Sequence, residues 1–381
     1  MERVRNSISP ALQYSNTPVV RDEGRMRRRS RELRIGEVLI GGENPVAVES
    51  MTKTRTEDAT STLGQLRSLA VAGCDIVRIA VPNTQAARGF EEIVRQSPLP
   101  VVADVHFHPT LALSALEAGA AGVRVNPGNM PERAFPDIVA SAARHGAHVR
   151  VGVNSGSLPQ WALDAAGGDL AGAMVAAARQ TVRTLQDLGL ERLTVSMKSP
   201  NVLPTLEACR RFASTSNIPL NLGITEAGLP WRGTVRSAVG MGLMLSEGLG
   251  DTLRVSLTSD PVLEVEVALE ILRALDLRKD GFRVVSCPTC GRCEVDVARM
   301  AELVQDRLGS LDAALTVAVM GCVVNGPGEA RTADVGIAGS RSGGVVFRRG
   351  EVVARVAERD LLPRLLEEID SMSEQESAGD L

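Results

Sequence analysis

Residues 100–127 read PVVADVHFHPTLALSALEAGAAGVRVNP. A β-branched run (100–107) gives way to an Ala/Leu-rich stretch (110–120) and then to a second β-branched run (122–127). Short apolar runs bounded by turn residues read as strands, and the longer stretch between them as a helix, so this is one strand–helix–strand repeat. The same unit recurs on both sides. Strand-like runs stand at PVAVES (45–50), DIVRIAV (75–81), HVRVGVN (148–154), RLTVSMK (192–198), PLNLGIT (219–225) and DTLRVSL (251–257). Helix-like stretches follow them, among them EDATSTLGQLRSLAVAG (57–73) and DPVLEVEVALEILRAL (260–275), whose Asp-Pro start suits a cap and a first-turn proline. Eight such units over 32–276 predict an α/β fold of the (β/α)8 TIM-barrel type. An open doubly wound sheet is the alternative, but no Gly-rich dinucleotide fingerprint follows the first strand.

Beyond a charged linker, LRKDGFR (277–283), the pattern changes. VVSCPTCGRC leads into a helix-like 294–308, a strand LTVAVMGC (315–322), two more strand-like runs, ADVGIAGS and GGVVFRR, and a last helix around ERDLLPRLLEEIDSM. Residues 282–372 are therefore expected to form a small α+β domain. Residues 373–381 are expected to fray and 1–31 to form a flexible tail, with the basic run Arg25–Arg29 solvated.

The formal net charge is −4 and aromatic content is 2%, so the chain lacks the basic, aromatic surface on which nucleic acid stacks. No apolar run approaches the roughly 18–20 residues that span a bilayer, and the first 30 residues do not resemble a secretory signal. A cytoplasmic location follows, where thiols stay reduced. Four of the six cysteines fall between 287 and 322, which favours a metal over disulfides.

A barrel enzyme places its chemistry at the C-terminal ends of its strands. Here those ends carry Glu49, Ser50, Asp104, His106, Asn126, Asn154, Lys198, Glu226 and Ser256. Four strands also hold an arginine between apolar residues: Arg78, Arg124, Arg150 and Arg254. A charge placed there is costly unless met. Either these arginines pair with Asp104, Glu49 or Glu226 inside the barrel mouth, or they converge on an anion such as phosphate, which guanidinium matches with paired hydrogen bonds. Arg55 and Lys198 would join the same pocket, and several cations suit a diphosphate.

Cys287-Pro-Thr-Cys290 is a CxxC, a spacing shared by zinc ribbons and redox dithiols. Cys293 follows three residues later, and Cys322 ends a strand in GCVVNGPGE, with Glu329 in the same loop. Four thiols would suit zinc. Three cysteines and one oxygen ligand would suit an iron–sulfur cluster with an exchangeable iron. Spacing leaves Cys293 and Glu329 open as the fourth ligand, although a Cys293 heading a helix would face away from Cys287 and Cys290. Cys74 and Cys209 read as buried core thiols.

SCPTCGRCEVDV and MGCVVNGPGEA resemble the cluster-binding segments of the 4-hydroxy-3-methylbut-2-enyl diphosphate synthase family. VAVESMTKTRTED, VVADVHF, VRVNPGNM, VRVGVNSGSL, TVSMKS, LNLGITEAG and GLMLSEGLGDTLRVSLTSDP extend the resemblance over roughly 32–340. It implies a [4Fe–4S] cluster on Cys287, Cys290, Cys322 and Glu329, with Cys293 as this chain's own departure. It implies 2-C-methyl-D-erythritol 2,4-cyclodiphosphate as substrate, gripped by Arg55, Arg124, Arg150, Asn154 and Lys198. Two electrons from flavodoxin or ferredoxin would open the ring and expel water. Glu226 is the expected proton donor, with Asp104 and His106 as further candidates for proton handling. The family's homodimer, in which the cluster domain of one subunit closes over the barrel of the other, is expected here too.

Overall fold

The computed structural model describes residues 19–22, 25–279, 281–309, 311, 314–322, 328, 332–340 and 342–379. The chain forms two compact units, Met1–Arg278 and Lys279–Leu381.

The first unit opens with an antiparallel pair, β1 (Val19–Asp22) and β2 (Arg25–Arg28), and a hairpin, β3 (Leu33–Ile35) and β4 (Val38–Ile40). Eight parallel strands follow: β5 (Ala47–Met51), β6 (Ile76–Ala80), β7 (Val101–Asp104), β8 (Gly122–Val125), β9 (His148–Asn154), β10 (Leu193–Lys198), β11 (Asn221–Leu222) and β12 (Thr252–Leu253). Their order is β10-β9-β8-β7-β6-β5-β12-β11, and a parallel bridge between Val195 and Leu220 joins the two ends. The sheet therefore closes as a (β/α)8 barrel, as the eight repeats implied. Closure leaves no edge strand to bind another chain.

The helices are α1 (Ala59–Val71), α2 (Thr84–Gln96), α3 (Pro109–Glu117), α4 (Phe135–His145), α5 (Gln160–Ala166), α6 (Leu170–Asp187), α7 (Val202–Ala213), α8 (Pro230–Ser246) and α9 (Pro261–Ala274). Asp58, Asn83, Asp169 and Asp260 cap four of them by accepting from backbone N–H groups of the first turn. One connection departs from the simple repeat: α5 and α6 both lie between β9 and β10.

Side chains alternate along a strand, so each strand has an outward and an inward set. Val77, Ile79, Val123, Val125, Val149, Val151 and Val195 pack with helix residues such as Leu66, Phe90 and Leu185 in one apolar cluster. Arg78, Arg124, Arg150 and Thr194 therefore take the inner positions. The N-terminal end of the barrel is plugged by the β3–β4 hairpin, whose Leu33, Ile35 and Ile40 pack on Ala47, Ile76 and Val102.

The basic run beside that plug is not the solvated tail the sequence suggested. Residues 25–28 are a strand, and Arg28 is buried. Its guanidinium donates to the carbonyls of Ser216 and Ile218 and lies 3.7 Å from the Asp251 carboxylate. Asp251 is itself buried and also accepts from Ser30. The tail is anchored because a carboxylate and two carbonyls at the barrel floor need a donor. Arg29 is exposed, as expected.

The second unit is a five-stranded mixed sheet, β13 (Arg283–Ser286), β14 (Thr316–Met320), β15 (Val335–Ser340), β16 (Gly343–Arg348) and β17 (Glu351–Val356), in sequence order. The first three strands are parallel and the last three antiparallel. α10 (Val297–Gly309) and α11 (Glu358–Gly379) contribute Val304, Leu308, Leu361, Leu365 and Ile369 to a core with Val317, Val319, Val335 and Ile337. β17 was not expected. Its signal is the turn Arg349-Gly350, where both residues adopt positive φ as a tight hairpin requires. The expected fraying from 373 is also not seen: the helix continues to Gly379, with Met372 and Ser373 buried and Gln375 accepting from Arg348.

Candidate active site and cysteine loops

The barrel interior is built from charge. Arg150 in β9 is fully buried; it donates to Glu49 Oε1 at 2.6 Å and to Thr194 Oγ1 at 3.3 Å. Asn221 donates to the other Glu49 oxygen at 3.4 Å. Burial alone would raise the Glu49 pKa, but the charge and hydrogen bond of Arg150, with Arg78 and Lys198 nearby, bring it down to about 2. Among the competing readings of the strand arginines, Arg150 thus follows internal pairing: Glu49 and Thr194 occupy it, three residues inside the strand.

Asp104, the last residue of β7, is the second carboxylate. Arg124 Nη1 donates to it at 3.2 Å, Arg78 Nε lies at 3.6 Å and His106 Nε2 at 3.4 Å. Burial opposes ionisation, yet the charges of Arg78 and Arg124 hold this carboxyl well below the usual carboxylate range. Arg124 also donates to the Gly152 carbonyl at 3.0 Å, and Gly152 has no Cβ because one would collide with Arg124 Nε.

His106 meets Arg124 Nη1 at 2.9 Å through Nε2, so that nitrogen accepts. Its proton then sits on Nδ1, 2.9 Å from the side-chain amide of Asn129. Turning that amide lets Asn129 Oδ1, otherwise buried without a partner, accept it. Asn129 was not singled out in the sequence; its signal was its place in the NPGNM loop that follows β8.

Lys198 closes β10, buried, and its register partner Asn154 closes β9. Burial, then the charge of Arg78, hold the Lys198 ammonium well below its ordinary pKa despite Glu49. Arg254, half-buried at the end of β12, is lowered to about 10 by burial and by Arg78. Five cations, Arg78, Arg124, Arg150, Lys198 and Arg254, thus face one another across three carboxylates, Glu49, Asp104 and Glu264, whose charge acts on Arg254. Glu264 also accepts from the Leu257 N–H and from a sixth cation, Lys53, at 2.9 Å, and Lys53 donates to the Leu257 and Ser259 carbonyls as well. The surplus of buried positive charge is an electrostatic invitation to an anion.

Two expected residues stand apart from this cluster. Arg55 is exposed in the β5–α1 loop, and Glu226 is exposed in the loop after β11. Glu226 holds φ at +53° and Phe107, beside His106, at +61°, conformations that cost a non-glycine residue roughly 1–2 kcal/mol. Asn126 Nδ2 donates to Ser157 Oγ at 2.8 Å and ties two strand-end loops together.

In the second unit, Cys287 follows β13 and Cys322 follows β14, so two neighbouring parallel strands end in cysteine loops. The Gly321 N–H points at Cys287 Sγ at 3.3 Å, as a backbone donor does toward a thiolate. Cys290 is exposed beyond the left-handed Thr289, and its carbonyl accepts from the Cys293 N–H at 2.8 Å. α10 begins only at Val297, so Cys293 does not head it. Its sulfur instead lies against Gly321 on the side of Cys287: a Cβ there would collide with Cys293 Sγ and stand 3.2 Å from Cys287 Sγ. Cys293 Sγ lies 3.2 Å from the Val295 carbonyl. Glu329 lies outside the described residues, and among those described no three such groups close on one point. The soft donors, their two adjoining loops and the N–H aimed at Cys287 fit an iron–sulfur cluster.

The family profile of the GcpE TIM-barrel domain matches residues 30–269, and that of the GcpE protein C-terminal domain matches 283–371. The chain belongs to the GcpE family. Among curated GcpE-family relatives, "4-hydroxy-3-methylbut-2-en-1-yl diphosphate synthase (flavodoxin)" of Geobacter sulfurreducens is 51% identical over 348 residues, 91% of this chain and 99% of that protein. The proteins of the same name from Nitratidesulfovibrio vulgaris and Clostridium perfringens are 51% and 45% identical, covering 91% of this chain and 90% and 99% of their own lengths. The GcpE barrel match starts at Ser30, the residue bound to Asp251, so it takes in the anchored end of the N-terminal segment.

Proposed function

We propose that this chain catalyses the reductive ring opening and dehydration of 2-C-methyl-D-erythritol 2,4-cyclodiphosphate to 4-hydroxy-3-methylbut-2-enyl diphosphate. The observation that carries the reading is the buried excess of guanidinium and ammonium groups at the barrel strand ends, in a chain about half identical to enzymes named for that product. Arg124, Lys198 and Asn154 are the groups placed to grip a diphosphate, with Arg55 reaching from its loop. Arg150 adds its charge from below, through Glu49. Asp104 fixes the Arg124 side chain, Arg124 in turn donates to His106, and His106, with its Nε2 lone pair on Arg124, holds its own proton at Nδ1. Glu226, exposed and in a strained conformation, is assigned the proton that leaves with the expelled hydroxyl.

Cys287, Cys290, Cys322 and Glu329 would hold the [4Fe–4S] cluster, which when bound supplies the two electrons one at a time. Flavodoxin is the expected donor, as in the names of the relatives. Among the described residues no helix is long and apolar enough to cross a membrane. A homodimer is the proposed assembly. It is supported by Trp231, Val235, Val239 and Leu243, which recur every fourth residue along α8 and are all exposed.

Anaerobic purification tests the reading. The protein should be brown, carry iron and acid-labile sulfide, and convert the cyclic diphosphate with reduced flavodoxin. Cys322→Ser should lose iron and sulfide together, while Cys293→Ser should keep them. A colourless parent protein that binds only zinc, or one that leaves the cyclic diphosphate untouched, would overturn it.

A further inference from the structure

At the opposite, N-terminal end of the barrel, a groove of about 1060 Å3 runs between α6, the segment after α7 and the anchored chain at Arg29–Ser30. Its rim carries Arg29, Arg179 and Arg183, and no carboxylate lines it. Arg179 Nη2 is held by the Arg211 carbonyl at 2.8 Å and by Thr215 Oγ1 at 2.6 Å. Among the described residues no carboxylate lies within ion-pair distance of any of the three guanidiniums. The arginines around them are treated differently. Arg211 pairs with Asp169 and Glu207, Arg210 with Glu247, and Arg31 with Glu191.

Arg179 and Arg183 stand four apart on one helix, a spacing at which like charges repel. Arg29 is brought to the same rim by a second segment whose position is fixed. Arg28 donates to the Ser216 and Ile218 carbonyls, and the Arg31 N–H donates to the Asn217 carbonyl at 2.6 Å. The walls are thus tied together, and three cations with no ion-pair partner among the described residues are held around one concavity, from two elements, in a chain of net charge −4. Gln186, Ser214 and Asn217 add uncharged hydrogen-bonding groups, and Phe212 and Ile218 form an apolar floor.

We propose that this groove is a second anion site, distinct from the barrel mouth, that takes a diphosphate. Guanidinium offers paired donors to phosphoryl oxygens, and three of them balance the charge a diphosphate carries near neutral pH. The apolar floor favours a diphosphate that bears a short hydrocarbon body over the bare anion. A ligand at this end of the barrel leaves the strand ends free, so it does not compete with a substrate there.

Calorimetry of inorganic diphosphate binding to the full-length, anaerobically purified protein tests this. Two binding events per chain are expected. The double variant Arg29→Ala/Arg183→Ala should weaken one of them about tenfold or more and leave kcat and KM for the cyclic diphosphate unchanged, because both side chains are exposed and stand away from the strand ends. Arg124→Ala should weaken the other, so failure of the groove and failure of the mouth are read separately. An n-butyl diphosphate that binds the groove more tightly than inorganic diphosphate assigns the hydrocarbon-bearing ligand, and equal affinity assigns the free anion. Unchanged stoichiometry and affinity in the double variant overturn the proposal.

Discussion

Gly152 and Arg124 face each other on neighbouring strands with no space to spare. The guanidinium lies across β9, donates to the Gly152 carbonyl, and occupies the volume a Cβ would need. Gly152→Ala should therefore push Arg124 off Asp104 and His106 without removing it. Apparent KM for the cyclic diphosphate is expected to rise about tenfold or more, with a stability loss of about 1–3 kcal/mol from overpacking. Steady-state kinetics and urea unfolding check this, and a wild-type KM in a stably folded variant would detach Arg124 from substrate binding. The arginine was legible in the sequence because a charge among valines demands an explanation. The glycine that makes room for it was not, since its need arises only when β8 and β9 lie side by side. Arg150 shows the same limit: in sequence it matches Arg124, and only its encounter with Glu49, 101 residues away, pairs it inside the barrel.

At the scale of elements, α8 presents two faces. Ser237, Gly240, Met241 and Met244 are buried against the barrel, and Gly240 is needed because a Cβ there would press on Ile224. The opposite face leaves Trp231 80% and Val239 52% exposed, more apolar surface than an isolated surface helix usually shows water. Val239→Glu is expected to shift the protein from dimer to monomer in light scattering behind size exclusion, with the far-UV spectrum unchanged. A variant that stays dimeric moves the interface elsewhere. The helix itself follows from its sequence, since Pro230 opens it and apolar residues recur along it. Which of its two apolar rows meets the barrel does not, because both rows are apolar. The strands were the most legible elements, their ends shifting by a few residues. β11 and β12, expected as seven-residue runs, hold only two ladder residues each.

For the molecule as a whole, the charged barrel interior sets the response to acid. Burial and the nearby charge of Arg150 lower the His148 pKa from 6.5 to about 3, and Glu49 falls from 4.5 to about 2. In both cases the unfolded chain takes up its proton at higher pH than the folded one. The contributions of these two groups are therefore full above about pH 6.5 and are lost as pH falls, first through His148 and then, below about 4.5, through Glu49 as well. Urea unfolding followed by tryptophan fluorescence reports on the barrel unit, which holds both Trp161 and Trp231. The midpoint should fall between pH 6.5 and 4.5, and His148→Gln should flatten that slope; equal slopes would remove His148 from the account. The sequence by itself determined the barrel, the separate cysteine-bearing unit and the family, because repeat length, alternation and the CPTC and GCVVNGPGE segments are local patterns written in consecutive residues. Only the tertiary structure decided which arginines neutralise Glu49 and Asp104, that Arg28 is anchored on Asp251, that Cys293 lies beside Cys287, and that three arginines line one groove. Those outcomes depend on distances between residues far apart in the chain, and charge pairing is settled by such distances rather than by the residue types that make them possible.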